Sequence, residues 1–279
     1  MNTRTFAYIL GAAILFALAA AVSFTGIPAV VQAQSAAPPD FSGVYYPFNP
    51  GGGGAKGGDA KAGGAKAVAP DKGKVKGPPP RPKQSAPLSD GSQGRAAGAP
   101  SLTPEYMAKW EKMRDTRIAG SYEYDLTAQC LPPGMPAMMN MAYGMEVMHS
   151  KDKITFFSEL NDAMRRVYLD GRKPSAKVLD DPTYAGYSTG HWEGDTLVVD
   201  TVALRDNTFI EGFTPHSDQM TVHERIRLTG PGVLEDRITV TDPKALTQPW
   251  ETVKTYRKAG SGNHELREFA CAEGLAGEK

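Results

Sequence analysis

A chain of 279 residues with 31 basic and 31 acidic side chains has no formal net charge at pH 7. That balance excludes the basic footprint with which a nucleic-acid-binding domain collects phosphates. No phosphate-cradling glycine loop and no dinucleotide fingerprint occurs, so any chemistry has to run without a nucleotide cofactor, and no cofactor is expected.

Residues 1–33 have the three parts of a secretory signal. Arg4 lies near the start, an apolar run extends from Phe6 to Gly26, and Val31-Gln32-Ala33 precedes Gln34 as a small-residue cleavage site. The run also approaches the length that spans a bilayer, so retention as an anchor is the competing expectation. Export places the mature chain in the periplasm or outside the cell. There the two cysteines, Cys130 and Cys271, are expected to form one disulfide, with two free thiols as the alternative.

Within the segment 34–48, residues 40–47 alternate in polarity and offer an edge strand. From residue 49 to residue 100 the composition collapses into Gly, Ala, Lys and Pro. So little apolar surface cannot offset the entropy of ordering, and the stretch is expected to be a disordered linker. Its lysines offer a weak contact with anionic envelope polymer or lipid, against the simpler role of a solvated tether.

The domain proper is expected over residues 101–279. Thr103-Pro104-Glu105 combines a capping hydroxyl, a proline at the first helical position and an acid in the first turn, which predicts a helix. Tyr106, Trp110 and Met113 recur at helical spacing and form its docking face. After Cys130 an irregular Leu-Pro-Pro-Gly-Met-Pro stretch leads to Met138, Met139 and Met141, flexible side chains suited to a core plug or to the lip of a ligand pocket.

From residue 145 onward the polarity has period two. Strands are predicted near 145–149, 153–160, 163–169, 187–192, 196–203, 219–228, 233–240, 250–258 and 264–271. Most breaks between them are hairpin length and carry hairpin residues. About nine such strands close into an antiparallel β-barrel, which removes bare edges, with one helix on its N-terminal side.

A small barrel holds ligands inside, so polar residues in phase with the apolar face are the informative ones. Glu224 lies among Met220, Val222, Ile226 and Leu228; Asp236 among Leu234, Ile238 and Val240; Asp200 between Val198 and Val202. By the same count Phe157 is in phase with Glu159, and Met164 with Arg166 and Tyr168. Charges on apolar faces are costly unless paired or used. The structural alternative is a buried Glu224–Arg166 pair, or a one-residue register error that turns these faces outward.

Two other patterns carry less. Gly186-Tyr187-Ser188-Thr189-Gly190 spells a hydrolase nucleophile elbow, but a hairpin follows it where the elbow needs a helix. His149, His191, His216 and His223 lack metal-ligand spacing, so no metal site is expected.

The run Gly190-His191-Trp192-Glu193-Gly194-Asp195-Thr196-Leu197-Val198-Val199-Asp200-Thr201 is distinctive. With Cys130-Leu-Pro-Pro-Gly-Met-Pro, Asp170-Gly171-Arg172, His216-Ser217-Asp218, Glu224-Arg225 and Asp242-Pro243, it resembles a large family of exported bacterial proteins with no general functional assignment. The hairpin and the closing strands also resemble calycin-type, lipocalin-like barrels. That second resemblance implies a cup for small apolar molecules.

Two functions follow as expectations. One is a cofactor-independent lyase or isomerase acting on a small aromatic or apolar molecule, such as a lignin-derived aromatic. Glu224 or Glu159 would move the proton while Arg166, Tyr168 and His216 position or polarise the substrate. The other is a non-catalytic small-ligand carrier walled by Met138, Met139, Met141, Phe156 or Phe157, Trp192 and Asp236. An envelope structural protein held by its basic linker is a third, and the sequence sets no oligomeric state.

Overall fold

The computed structural model describes residues 37–48, 95, 98–260 and 266–271. The expected signal at 1–33 and most of the 49–100 linker lie outside the described residues.

Nine strands form a closed barrel: β1 (Gly43–Pro47), β2 (Met145–Ser150), β3 (Lys153–Ser158), β4 (Ala163–Tyr168), β5 (Tyr187–Glu193), β6 (Thr196–Val202), β7 (Thr221–Gly230), β8 (Val233–Thr241) and β9 (Trp250–Lys258). The barrel class expected from the polarity pattern is present, with two corrections. The closing strand is β1, which pairs antiparallel with both β2 and β9. The strand expected at 264–271 is not formed: residues 261–265 lie outside the described residues and 266–270 are irregular. With β1 seated beside β9, the chain after β9 has no ladder to join, and it is instead fastened by the disulfide Cys130–Cys271, whose Cα atoms lie 5.5 Å apart.

The second correction is one parallel pair. β4 and β5 run in the same direction and match only at Val167↔Ser188 and Tyr168↔Thr189. A parallel neighbour needs a crossover of a dozen or more residues, and residues 169–186 supply it, carrying the short helix α2 (Ala176–Leu179). Every other neighbouring pair is antiparallel.

The lumen is filled by side chains. Phe156, Leu197, Ile226 and Leu234 have no exposed surface, and Tyr45, Val147, Ile238 and Tyr256 have almost none. Each such side chain contributes roughly 1.5–3 kcal/mol through burial. Phe41, Trp192 and His149 pack together, with ring centroids 5.2–6.4 Å apart.

Helix α1 (Pro104–Ile118) starts where predicted and docks through Tyr106, which is buried, and Trp110, which is partly buried. The Thr103 hydroxyl does not cap it; it donates to the Lys244 carbonyl at 3.1 Å, tying the helix start to the β8–β9 connection. Several resemblance motifs also prove architectural in their contacts. Asp242 accepts from the backbone N–H of Ser217, Lys244 and Ala245 and from the Ser217 hydroxyl, at 2.6–3.1 Å, which binds two loops into one. Gly194 makes the β5–β6 turn at φ 62°. At Gly190 an added Cβ would lie 2.9 Å from Val167 and 3.0 Å from the Val198 carbonyl.

Candidate functional site

Directly opposed residues of neighbouring strands share a face, and this fixes what lines the lumen. Glu224 stands opposite Val199 and Ile238, and Asp236 opposite Ile226; both acids are fully buried. The expected inward direction is present for these two. It is absent for Asp200, which is exposed and pairs with His223 at 2.8 Å on the outer surface.

In the β3–β4 hairpin the expected parity is off by one. Ile154, Phe156 and Ser158 point inward, as do Ala163, Arg165 and Val167. Phe157 is half-buried on the other face, Arg166 is exposed, and Glu159 lies past the end of β3. The guanidinium in the lumen is therefore that of Arg165. It binds both Glu224 oxygens and adds bonds to the Ser188 hydroxyl at 3.1 Å and the Thr201 hydroxyl at 3.0 Å. Ser188 also exchanges a 2.8 Å bond with Thr201. The serine of the elbow-like spelling is thus a buried ligand of Arg165 on a strand.

Asp236 completes this cluster in an unusual way. Neither of its carboxyl oxygens has a hydrogen-bond partner among the described residues. Its strand neighbour Lys254 turns its ammonium to Glu211 at 3.0 Å. Burial, and then the Glu224 charge, hold the Asp236 pKa well above the carboxylate range, against the opposing charges of Arg165 and Lys254. Tyr256, whose hydroxyl donates to the Met139 carbonyl, is likewise raised by burial. The protonated acid beside an Arg-bound carboxylate is a neutral arrangement for a dry interior.

A second arrangement lies on the outside. Because β4 and β5 match at only two rows, they diverge toward their N-terminal ends, and a cleft of about 580 Å³ occupies the fork. Met164, Arg166 and Tyr168, alternate residues of the outer face of β4, form one wall. Tyr184 and Tyr187 form the other, and Met138 and Gly134 lie at the inner side. Tyr168 and Tyr187 stand 5.3 Å apart, ring to ring, with the Arg172 guanidinium 4.3 Å over Tyr168. Arg166 and Lys177, with Asp162 and Asp181, supply charge to the cleft; none of the four makes an ion pair among the described residues.

The remaining expected site residues are dispersed. Met139 is buried as the partner of Tyr256, Met141 is half-buried outside the cleft, and Trp192 packs on Phe41. His216 is buried in the β6–β7 connection, its Nδ1 2.8 Å from the Ser217 carbonyl and its Nε2 2.7 Å from the Thr208 hydroxyl. Burial lowers its pKa. Reading the sequence missed Arg165, Tyr187 and Tyr184. The adjacent arginines 165 and 166 were the signal for the first, since one of any neighbouring pair on a strand must face inward.

No protein-family model matches the chain, so membership of the exported family that the 190–201 run resembles is not shown. No curated protein matches it. Among solved structures the chain is similar to the crystal structure of a single-site mutant of the fluorescent protein UnaG, at 14% identity and a TM-score of 0.27, covering 48% of this chain and 86% of that one.

Proposed function

We propose that the protein is an exported small-molecule-binding barrel that holds an aromatic or apolar ligand in the cleft between β4 and β5. The observation that carries this reading is the meeting, in one concave volume of about 580 Å³, of the Tyr168–Tyr187 pair, Met138 and Arg166, which makes no ion pair among the described residues. Pockets of this size, mostly apolar with a few polar groups that set orientation, are the usual small-ligand sites. Tyrosine faces supply stacking area, and Arg166 anchors a polar or acidic end of the ligand. The disulfide fits an oxidising compartment.

The acid–base lyase or isomerase expected from the sequence needs a carboxylate that a substrate reaches. Glu224 is bound at both oxygens by Arg165 and has no exposed surface, which supports a carrier over an enzyme that uses it as base.

The test is titration of the chain from residue 34 onward with 4-hydroxybenzoate and with methoxylated phenols, followed by tyrosine fluorescence and NMR. Saturable binding that weakens at least tenfold in Tyr168→Ala and in Arg166→Ala is the expected result. Binding unchanged in both variants, or no ligand either bound in titration or co-purifying by mass spectrometry, sinks the reading.

A further inference from the structure

On the outer face of β7 and β8, Arg225 stands directly opposite Arg237. Like charges directly opposed across neighbouring strands are destabilising. Arg227 is two residues from Arg225 on the same face, and the three guanidiniums together with Thr196 line a hollow of about 170 Å³. We propose that this hollow is a binding site for a tetrahedral oxyanion, phosphate or sulfate, either free or as the terminal group of a larger molecule.

The charges in place leave room for such a guest. Arg225 donates to Glu193 at 2.8 Å, while Arg227 and Arg237 share a single oxygen of Glu235 at 3.1–3.3 Å. Three cations therefore meet two carboxylates, and each guanidinium keeps N–H donors without a partner among the described residues. Guanidiniums offer forked donors matched to oxyanions. A planar carboxylate presents two oxygens and satisfies one or two arginines; a tetrahedral ion presents oxygens in three directions and meets all three. The hollow has the volume of about six water molecules at roughly 30 Å³ each, room for one tetrahedral ion, and its lining of three guanidiniums and a threonine suits an anion rather than an apolar ring.

The experiment uses the chain from residue 34 onward. Arginine Nε–H NMR and thermal unfolding are followed during addition of sodium phosphate or sulfate, against sodium chloride at equal ionic strength. Saturable shifts at Arg225 and Arg237, with a melting temperature that rises in phosphate beyond the chloride control, are expected for a free ion. Cosedimentation with phosphatidylglycerol vesicles but not phosphatidylcholine vesicles that is lost in Arg237→Gln and Arg225→Gln, without response to the free ions, assigns the same site to a phosphate carried by lipid. Arg237→Gln removes one of the opposed charges, so it is expected to melt no lower than the parent in phosphate-free buffer and to lose the anion response at least tenfold. Arg225→Gln provides the second variant. Identical behaviour in phosphate, sulfate and chloride with no vesicle binding that depends on Arg225 or Arg237 overturns the proposal, as does a full anion response in both variants.

Discussion

Arg165 on β4 reaches past β5 and β6 to grip Glu224 on β7, bonding Ser188 and Thr201 on the way. It thereby clamps four strands at the place where the β4–β5 ladder is only two rows long. Removing either partner leaves a buried charge with nothing to compensate it, a change that costs about 3–5 kcal/mol. Glu224→Gln and Arg165→Met are each expected to lower stability by that amount in urea unfolding. The double variant Arg165→Met/Glu224→Leu should recover much of the loss. Single variants as stable as the parent would show that the pair holds nothing together.

Asp236 gives a prediction of opposite sign. Its pKa is raised in the folded state, so the folded form holds its proton more tightly than the unfolded chain does. The associated stability is complete below the unfolded carboxyl value of 3.8 and declines as pH rises from there toward the raised folded value. Asp236→Asn keeps a side chain of the same shape that is uncharged at every pH, and so removes that dependence. A gain of about 1 kcal/mol at pH 8 and a flatter pH profile are expected. Loss of stability in this variant at every pH would mean that the carboxyl has a partner needing its charge.

On the acid side, His149 accepts the Phe41 backbone N–H at Nε2, 3.2 Å away, and so fastens the chain just before β1. Burial lowers its pKa and outweighs the pull of Asp40. A histidine held neutral in this way contributes stability that is present above its unfolded value of 6.5 and is lost as pH falls below it toward the lower folded value. Chemical unfolding between pH 7 and pH 5 should show this decline. His149→Gln retains an acceptor for Phe41 and should remove part of the slope, leaving the part that belongs to the buried His216. A slope unchanged in His149→Gln would assign the whole effect elsewhere.

The Cys130–Cys271 bridge closes a loop of 141 residues. Reduction, or the paired serine variant, is expected to lower stability by about 2–5 kcal/mol, read as a shift in urea midpoint. No shift would mean that the segment after β9 is held by its other contacts.

Strand rhythm made the barrel legible, and Glu224 and Asp236 could be placed because their neighbours Val222, Ile226, Leu234 and Ile238 are all strongly apolar. In β3 and β4 the same method failed because both faces look alike. Phe156 sits beside Phe157 and Arg165 beside Arg166, so a one-residue shift conserves the apparent pattern; only Ile154 and Val167 break the tie. Asp200 was misplaced for a similar reason, since its neighbours Val198 and Val199 are both buried. The cleft was not legible at all. It arises from a parallel pairing between strands separated by 18 residues, and period-two polarity carries no information about strand direction. Met164, Arg166 and Tyr168 were correctly grouped on one face, yet that face proved to be the outer one.

The single parallel seam also divides the barrel into two continuous meanders, β2 to β4 and β5 to β9, linked by an exposed crossover that includes Gly171–Lys173. Cleavage in that crossover cuts no hairpin, and the two pieces meet at the parallel β4–β5 pair and at the antiparallel β1–β9 ladder. Two separately produced pieces, broken after Lys173, therefore retain every hairpin of the parent and have the Arg165 clamp and the disulfide with which to reassemble.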